Sequence, residues 1–445
     1  MQPLDYQQIA FAGRLKEDAS QAAIQKICVL YLFCWTIAPI LAIGTIWRIL
    51  ALISFIVWYS LALQRGFKIN TPVSRAIGFA VLVSVVILLT DFKVGRIIKR
   101  IDVFMLVIAI CMFQFYLLHP LELLDLIPYL LFMLTIFNFK TGDALLENAQ
   151  IARLIVRNSE EAQAYQMQGI GGYCLLYLQV CACPAILAWG KSTIKSSSSK
   201  KLSILFVCWL LSYLLFIYKA AYSIALFASA LSFFLVLPRR KANLRQSLII
   251  MIVLFVLLMA AILFIEPFRE LLFDIFRGTA VERKLHDFSV MNGLETNDRY
   301  GSQNYGSFDT RSLAYSRSLW MILQYPIIGG LFFSTAIGGH SAILDTIARY
   351  GWLGGWLYCS MIFAVPIAMK KSVSLKSPLT TINNATFVII LFIALLDTLP
   401  YENTFNVVML NAVFFFALLK TEQQTMISSS QKDNPITSIS SMIES

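Results

Sequence analysis

The stretch SLIIMIVLFVLLMAAILFI, residues 247–265, holds nineteen residues and not one charge. A helix of that length rises about 28 Å, close to the hydrocarbon thickness of a bilayer. It does not alternate polar and apolar residues, as the strands of a membrane β-barrel do. It reads as a transmembrane helix, and the rest of the chain repeats the pattern. Similar apolar blocks lie near 27–43, 45–63, 76–90, 102–118, 121–137, 169–189, 202–218, 220–237, 350–369, 384–399 and 404–420. Together they predict an all-α integral membrane protein with about twelve transmembrane helices.

Composition agrees. The 445 residues are 58% hydrophobic and 14% charged, against roughly one half and one quarter for a soluble domain. Three parts are expected: a polar cytoplasmic segment 1–26, a membrane domain 27–420 with a large outside loop at 266–340, and a disordered Ser-rich cytoplasmic tail 421–445. The first 26 residues mix both charges, so no cleavable leader is expected. The net charge of +11 does not point to nucleic acid, because most Lys and Arg flank the spans.

Those flanking charges orient the chain. The connections 190–201, 238–246 and 370–376 carry Lys and Arg without any acid, and are expected in the cytoplasm. An even number of spans then places both termini there. The basic segment 91–100 disagrees, since the same count puts it outside. The segment 312–333 is apolar enough to imitate a span, but is read as re-entrant or interfacial. The loop 266–311 holds six basic and eight acidic side chains, and 140–168 is the other long outside segment. Loops of that length commonly carry function. All eight Cys lie in apolar segments and read as small buried hydrophobes, with no disulfide framework or zinc spacing.

No phosphate loop, dinucleotide fingerprint, zinc-protease helix or nucleophile elbow is present. Three His occur. His119 precedes Pro120 in a hairpin between spans and reads as structural. His286, in VERKLHDF (281–288), reads as solvated. His340 stands in GGHSAILDTIARYGWLGG (338–355), at a Gly-Gly turn before an apolar helix.

Reading back from His340, the order is Arg311, Tyr315, Pro326, Gly329, His340, Ser341, Asp345, Gly351 and Gly354. This ordered set resembles the signature of the bacterial O-antigen polymerase and O-antigen ligase superfamily (Wzy and WaaL type). In that pattern an Arg is followed by an aromatic four residues on, a Pro-x-x-Gly, and a His with Asn or Ser after it. An acid and two Gly follow at fixed spacings. The match covers about 45 residues, 311–354. A second family element, a Ser-Arg-Gly type sequence at the outer end of an earlier span, corresponds to YKAAYSIAL (218–226), where Lys219 replaces the expected Arg. Lys lacks the guanidinium fork, which weakens that correspondence.

The resemblance implies a GT-C-like membrane glycosyltransferase of the bacterial inner membrane with its active site on the outer face. Its substrate would be an oligosaccharide carried on undecaprenyl pyrophosphate. The chain supplies residues suited to that chemistry. A guanidinium such as Arg311 pairs two phosphate oxygens and steadies a departing pyrophosphate. An imidazole such as that of His340 suits a general base for an acceptor hydroxyl. Arg317 is a second candidate cation, and Asp345 and Tyr315 are candidate substrate contacts.

Asp345 and Arg349 also stand four apart on one predicted helix, which favours a mutual ion pair. Arg277, Arg283, Lys284 and Arg299 read mainly as solvated loop charges, with glycan or phosphate binding as the alternative. Tyr300, Tyr305 and Trp320 join Tyr315 as aromatics able to stack on sugars. No metal or other cofactor is expected. The expected partners are the lipid-linked oligosaccharide, the bilayer, and a chain-length regulator and flippase of the same pathway. His-Ser rather than His-Asn favours a polymerase over a ligase that transfers glycan to lipid A core. A flippase or other transporter is the alternative from a different class, disfavoured by the lack of internal repeats.

Overall fold

A computed structural model describes residues 19–42, 44–91, 101–147, 151, 155, 160–196, 200–220, 223–236, 244–277, 281–282, 285–286, 289, 294, 306–330, 337, 339–372, 378–397 and 401–433. The described chain is helical, and no strand occurs among the described residues. In order the helices are α1 (Ala19–Ile37), α2 (Pro39–Ala42), α3 (Thr45–Gln64), α4 (Thr71–Asp91) and α5 (Ile101–Tyr116). A 3-10 helix, Pro120–Leu126, leads into α6 (Ile127–Glu147), and α7 (Glu160–Met167), α8 (Tyr173–Ser196), α9 (Lys200–Ala220) and α10 (Ser223–Val236) follow. The remainder are α11 (Leu244–Phe264), α12 (Glu266–Ile275), α13 (Gly306–Gln324), α14 (Ala342–Ile362), α15 (Ala364–Ser372), α16 (Pro378–Leu396) and α17 (Tyr401–Asp433).

Eight helical segments are long and apolar enough to cross a membrane, and a ninth is the pair α14 and α15, bent by 61°. The protein is therefore an all-α membrane protein. Two helices sit at its centre. The spans of α8 and α17 are 89% and 83% buried, whereas that of α3 is 17% buried. α17 packs on α8 and α5, α6 on α9, and α14 on α4 and α13. Where apolar surface faces lipid, burial alone cannot drive helices together, and polar contacts between helices help hold them. Here Asn138 of α6 donates to Gln179 of α8 at 2.8 Å, and Trp209 of α9 donates to the same Gln179 oxygen at 3.0 Å.

Helix ends fall into two layers. At one end, Gly171 donates to Thr141 (2.8 Å), Tyr177 to Asp397 (2.7 Å), and Tyr218 to the Ile275 carbonyl (2.6 Å). The start of α14, next to His340, joins this end through Ala342 N–H and the Asp397 carbonyl at 2.9 Å. At the other end Arg65 meets Glu122, Asn70 meets Gln114, and Lys191 reaches the Val236 carbonyl. The helix ends flanking the basic connections 190–201, 238–246 and 370–376 lie in this second layer.

Some boundaries differ from expectation. α1 covers Ala19–Ile37 and so reaches into the segment read as polar, with Gln25 buried against the Trp58 carbonyl. α17 runs on to Asp433 through part of the tail read as disordered. No Gly or Pro interrupts 421–433, and the first breaker is Pro435. The segment 92–100, the tip of the dissenting basic loop, lies outside the described residues.

Candidate functional site

The site is built on the C-terminal end of α16. The last carbonyls of a helix lack partners within it. Here three of them are taken by residues far away in sequence. The Ser341 hydroxyl donates to Ala394 O (3.3 Å), the Tyr315 hydroxyl to Leu396 O (2.5 Å), and Ala342 N–H to Asp397 O (2.9 Å). The end of one helix thus gathers the Arg311–Tyr315 segment of α13 and the His340–Ser341 turn.

A second clamp joins the same two segments. Ser341 is the N-cap of α14, its hydroxyl accepting from Leu344 N–H at 3.1 Å. Asp345 returns the favour by accepting from Ser341 N–H at 2.9 Å. Its other oxygen accepts from the Ser318 hydroxyl of α13 at 2.5 Å. An acid in the first turn also suits the positive end of the helix dipole. Asp345 is therefore a fastener that holds the backbone beside His340. The expected Asp345–Arg349 pair does not form; the carboxylate accepts from Ser318 and Ser341 instead.

The Pro-x-x-Gly element has a packing explanation. Tyr325–Gly330 ends α13 in a turn that docks on the third turn of α14. Gly330 N–H donates to Ala348 O (2.7 Å) and Trp352 N–H to Pro326 O (2.9 Å). The approach is so close that a Cβ on Gly351 would lie 1.9 Å from Ile327 O. Gly351 also has φ +68°, a conformation that favours glycine. Because Ser318 meets Asp345 and Pro326 meets Trp352, α13 runs down alongside the first half of α14 and stops there. Its outer face is apolar and open: Leu323 is 80% exposed and Ile327 79%. α13 is not among the segments long and apolar enough to span.

Among the sequence-predicted residues, Tyr315, Asp345 and His340 come together. Arg311 lies one helical turn before Tyr315 on α13. Arg317 is on the exposed side of that helix, away from Ser318. Lys219 ends α9 at the same end of the bundle, with its ammonium 4.9 Å from the Tyr218 ring. However, α9 packs mainly on α6 and α8 rather than on α13 or α14. Trp320 is exposed. Arg277 pairs with Asp274 at 2.7 Å, and His286 is buried at 3% exposure, not solvated. Arg283, Lys284, Arg299, Tyr300 and Tyr305 lie outside the described residues.

No protein-family model matches the chain. No curated protein matches it either.

One cation escaped the sequence reading, and another was expected to be paired. Arg269 is 7% exposed on α12, and Arg349, expected to pair with Asp345, is half-buried on α14. In both, the Nε is buried without a hydrogen-bond partner, and neither guanidinium has an acid within ion-pair range among the described residues. Arg269 shares its stripe of α12 with buried Phe273, four residues on. That spacing was the available signal, hidden by the assumption that loop charges are solvated. The site thus combines a His on a fixed turn, hydroxyl and carbonyl clamps that fix two segments, and, on α14, a cation with no acid partner among the described residues. Such a set suits binding an anionic group and removing a proton beside it.

Proposed function

We propose that this protein is a membrane glycosyltransferase that polymerises undecaprenyl-pyrophosphate-linked oligosaccharide repeat units, of the O-antigen polymerase type. The observation that carries the reading is the convergence on α16. One helix end holds both the segment with Arg311 and the turn with His340, the two parts of the motif on which the resemblance rests. Counting the shorter apolar helices within α5 and α10, and α11, with the nine candidate spans gives twelve crossings. With twelve, the basic connections opposite His340 are cytoplasmic and the His340 end faces outward in a bacterial inner membrane.

In this reading His340 accepts the proton of the acceptor hydroxyl. The freed oxygen attacks the anomeric carbon of the lipid-linked donor. The bond between that carbon and the phosphate oxygen breaks, and Arg311 stabilises the departing lipid pyrophosphate. The cations come from the chain itself, so no metal is needed to balance the leaving group. The test is reconstitution with a lipid-linked repeat unit in excess EDTA. A ladder of longer lipid-linked glycans is expected. Translocation without any elongation would instead identify a transporter, and elongation that requires added Mg²⁺ would overturn the metal-independent mechanism.

A further inference from the structure

Arg75 lies on α4, four residues from its start and about 6 Å along the helix axis. That start belongs to the end of the bundle opposite His340, where Asn70 meets Gln114. The Arg75 guanidinium sits over the ring of Trp356 of α14, 4.7 Å from its centroid. The seat is open to the outside: Trp356 is 52% exposed, and Arg75 is half-buried. Attraction to a ring face uses the charge of a guanidinium and none of its N–H donors. Those donors enter no ion pair or hydrogen bond among the described residues. Neither helix offers an acid within reach. Asp91, the acid of α4, is about 24 Å away along the axis. Asp345, the acid of α14, is fastened to Ser318 and Ser341 at the other end of the bundle.

The surroundings say what kind of group fits. The seam that carries the pair is closely packed. Buried Phe79, one turn on from Arg75, meets Tyr350 and Tyr358 at ring-centre distances of 5.9 and 6.0 Å. A Cβ on Gly354 would lie 3.4 Å from Leu82 of α4. Along this seam the outer faces are apolar and exposed: Ile77 and Val81 on α4, Trp352 and Leu353 on α14. Lys68, three residues before α4, is exposed at the same end and adds positive charge there. Helical side chains lean toward the helix N-terminus, which for Arg75 means toward the headgroup layer. A cation with unused donors at that depth, beside an apolar face set among lipid chains, matches a phosphate that carries its own acyl chains. A zwitterionic headgroup brings its own cation to the phosphate, so a net anionic one gains more from Arg75.

We infer that Arg75 and Trp356 form a binding site for the headgroup of an anionic phospholipid on the seam between α4 and α14. The assignment is independent of the reaction proposed for the His340 end. It is tested on the full chain in dodecyl maltoside, titrated with dioleoylphosphatidylglycerol, with bound lipid counted by native mass spectrometry. Wild-type protein should hold one phosphatidylglycerol at least fivefold more tightly than dioleoylphosphatidylcholine. Arg75→Gln should weaken that binding fivefold or more, and Arg75→Lys should recover part of it. Trp356→Ala should weaken it several-fold, and Trp356→Phe, which keeps a ring face, by less. Arg48→Gln removes an exposed cation on α3 and should change nothing. The three positions are exposed or half-buried, so thermal unfolding without added lipid should stay near wild type. If a truncated variant fails to fold, the graded losses in Arg75→Lys and Trp356→Phe carry the test. Wild-type affinity in folded Arg75→Gln or Trp356→Ala would overturn the assignment. So would equal retention of phosphatidylcholine, which marks an acyl-chain site, or an equal loss in Arg48→Gln, which marks general surface charge. Displacement of the lipid by equimolar inorganic phosphate would also overturn it, marking a free-anion site.

Discussion

Arg65 and Arg349 are both arginines set into a helical bundle, and the two ends of the molecule treat them in opposite ways. Arg65 is enclosed. Its guanidinium meets both oxygens of Glu122, at 2.5 and 3.1 Å, donates to Gln25, and lies 5.1 Å from the Phe115 ring centre. His119 packs on the same Phe115 ring, its ring centre 4.6 Å away. Lys26 pairs with Asp125 nearby. At the His340 end, the acids serve hydrogen bonds instead: Asp345 caps α14, and Asp397 accepts from Tyr177. Arg269 and Arg349 are left without them. One end spends its charges on joining α1, α3 and the 3-10 helix. The other leaves a cation uncommitted on α14, the helix that begins at the His340 turn, an arrangement suited to receiving an anion.

The comparison breaks most visibly by substitution at Arg65. Arg65→Ala leaves Glu122 buried without its cation and should cost about 3–5 kcal/mol of stability. Arg349→Ala removes a charge that has no partner and should be neutral or stabilising. Thermal unfolding in one detergent checks both. Equal destabilisation of the two variants would erase the distinction between the ends.

Next in size is Gly351→Ala. A methyl group there collides with the Ile327 carbonyl and must adopt φ +68°. The backbone strain alone is of order 1–3 kcal/mol. The docked turn should be displaced, which would appear as faster proteolysis at 325–330 and as loss of elongation. Retention of both would show that the α13 turn does not need its seat on α14.

Smaller effects are expected at the clamps. Tyr315→Phe leaves Leu396 O without its donor and should cost about 1 kcal/mol. Ser341→Ala removes the N-cap of α14 at a similar cost, about 1 kcal/mol. In both, turnover should fall more than stability does, because the segments bearing Arg311 and His340 lose their common anchor. A purely structural role would lower stability and leave the turnover of folded protein unchanged.

The smallest effect concerns pH at the enclosed end. Burial, with help from Arg65, lowers the His119 pKa, and Glu122 opposes this. The neutral form is favoured in the fold, while the unfolded chain takes up the proton near the ordinary value of 6.5. This contribution is therefore present above that pH and lost as pH falls below it. His119→Gln should flatten the low-pH decline in unfolding temperature. An unchanged decline would remove His119 as its source.

Much of the fold was legible because lipid imposes a simple rule: uncharged blocks of about 20 residues must be helices. The motif was legible as an order of residues, from Arg311 to Gly354. Its physical meaning was not. Tyr315 and Ser341 matter here through Leu396 and Ala394, which are 81 and 53 residues away, and no local pattern encodes such a meeting. Asp345 and Arg349 show a local rule losing to a neighbour. Their spacing favours a pair, but the cap at Ser341 and the hydroxyl of Ser318 reach the carboxylate instead. Arg269 was missed because a charge in a polar loop gives no sign of burial until the amphipathic face of α12 is seen packed.

The most direct measurement compares initial rates of glycan elongation for wild-type and His340→Ala protein, matched for folded material in the same lipid. His340 lies on the turn held by α16 and is not among the groups that bond the helices together. The variant should fold normally and elongate roughly 100-fold more slowly or worse. Elongation by folded His340→Ala at the wild-type rate would contradict the assignment of this end as the reactive one and leave the Gly-Gly-His turn a structural feature.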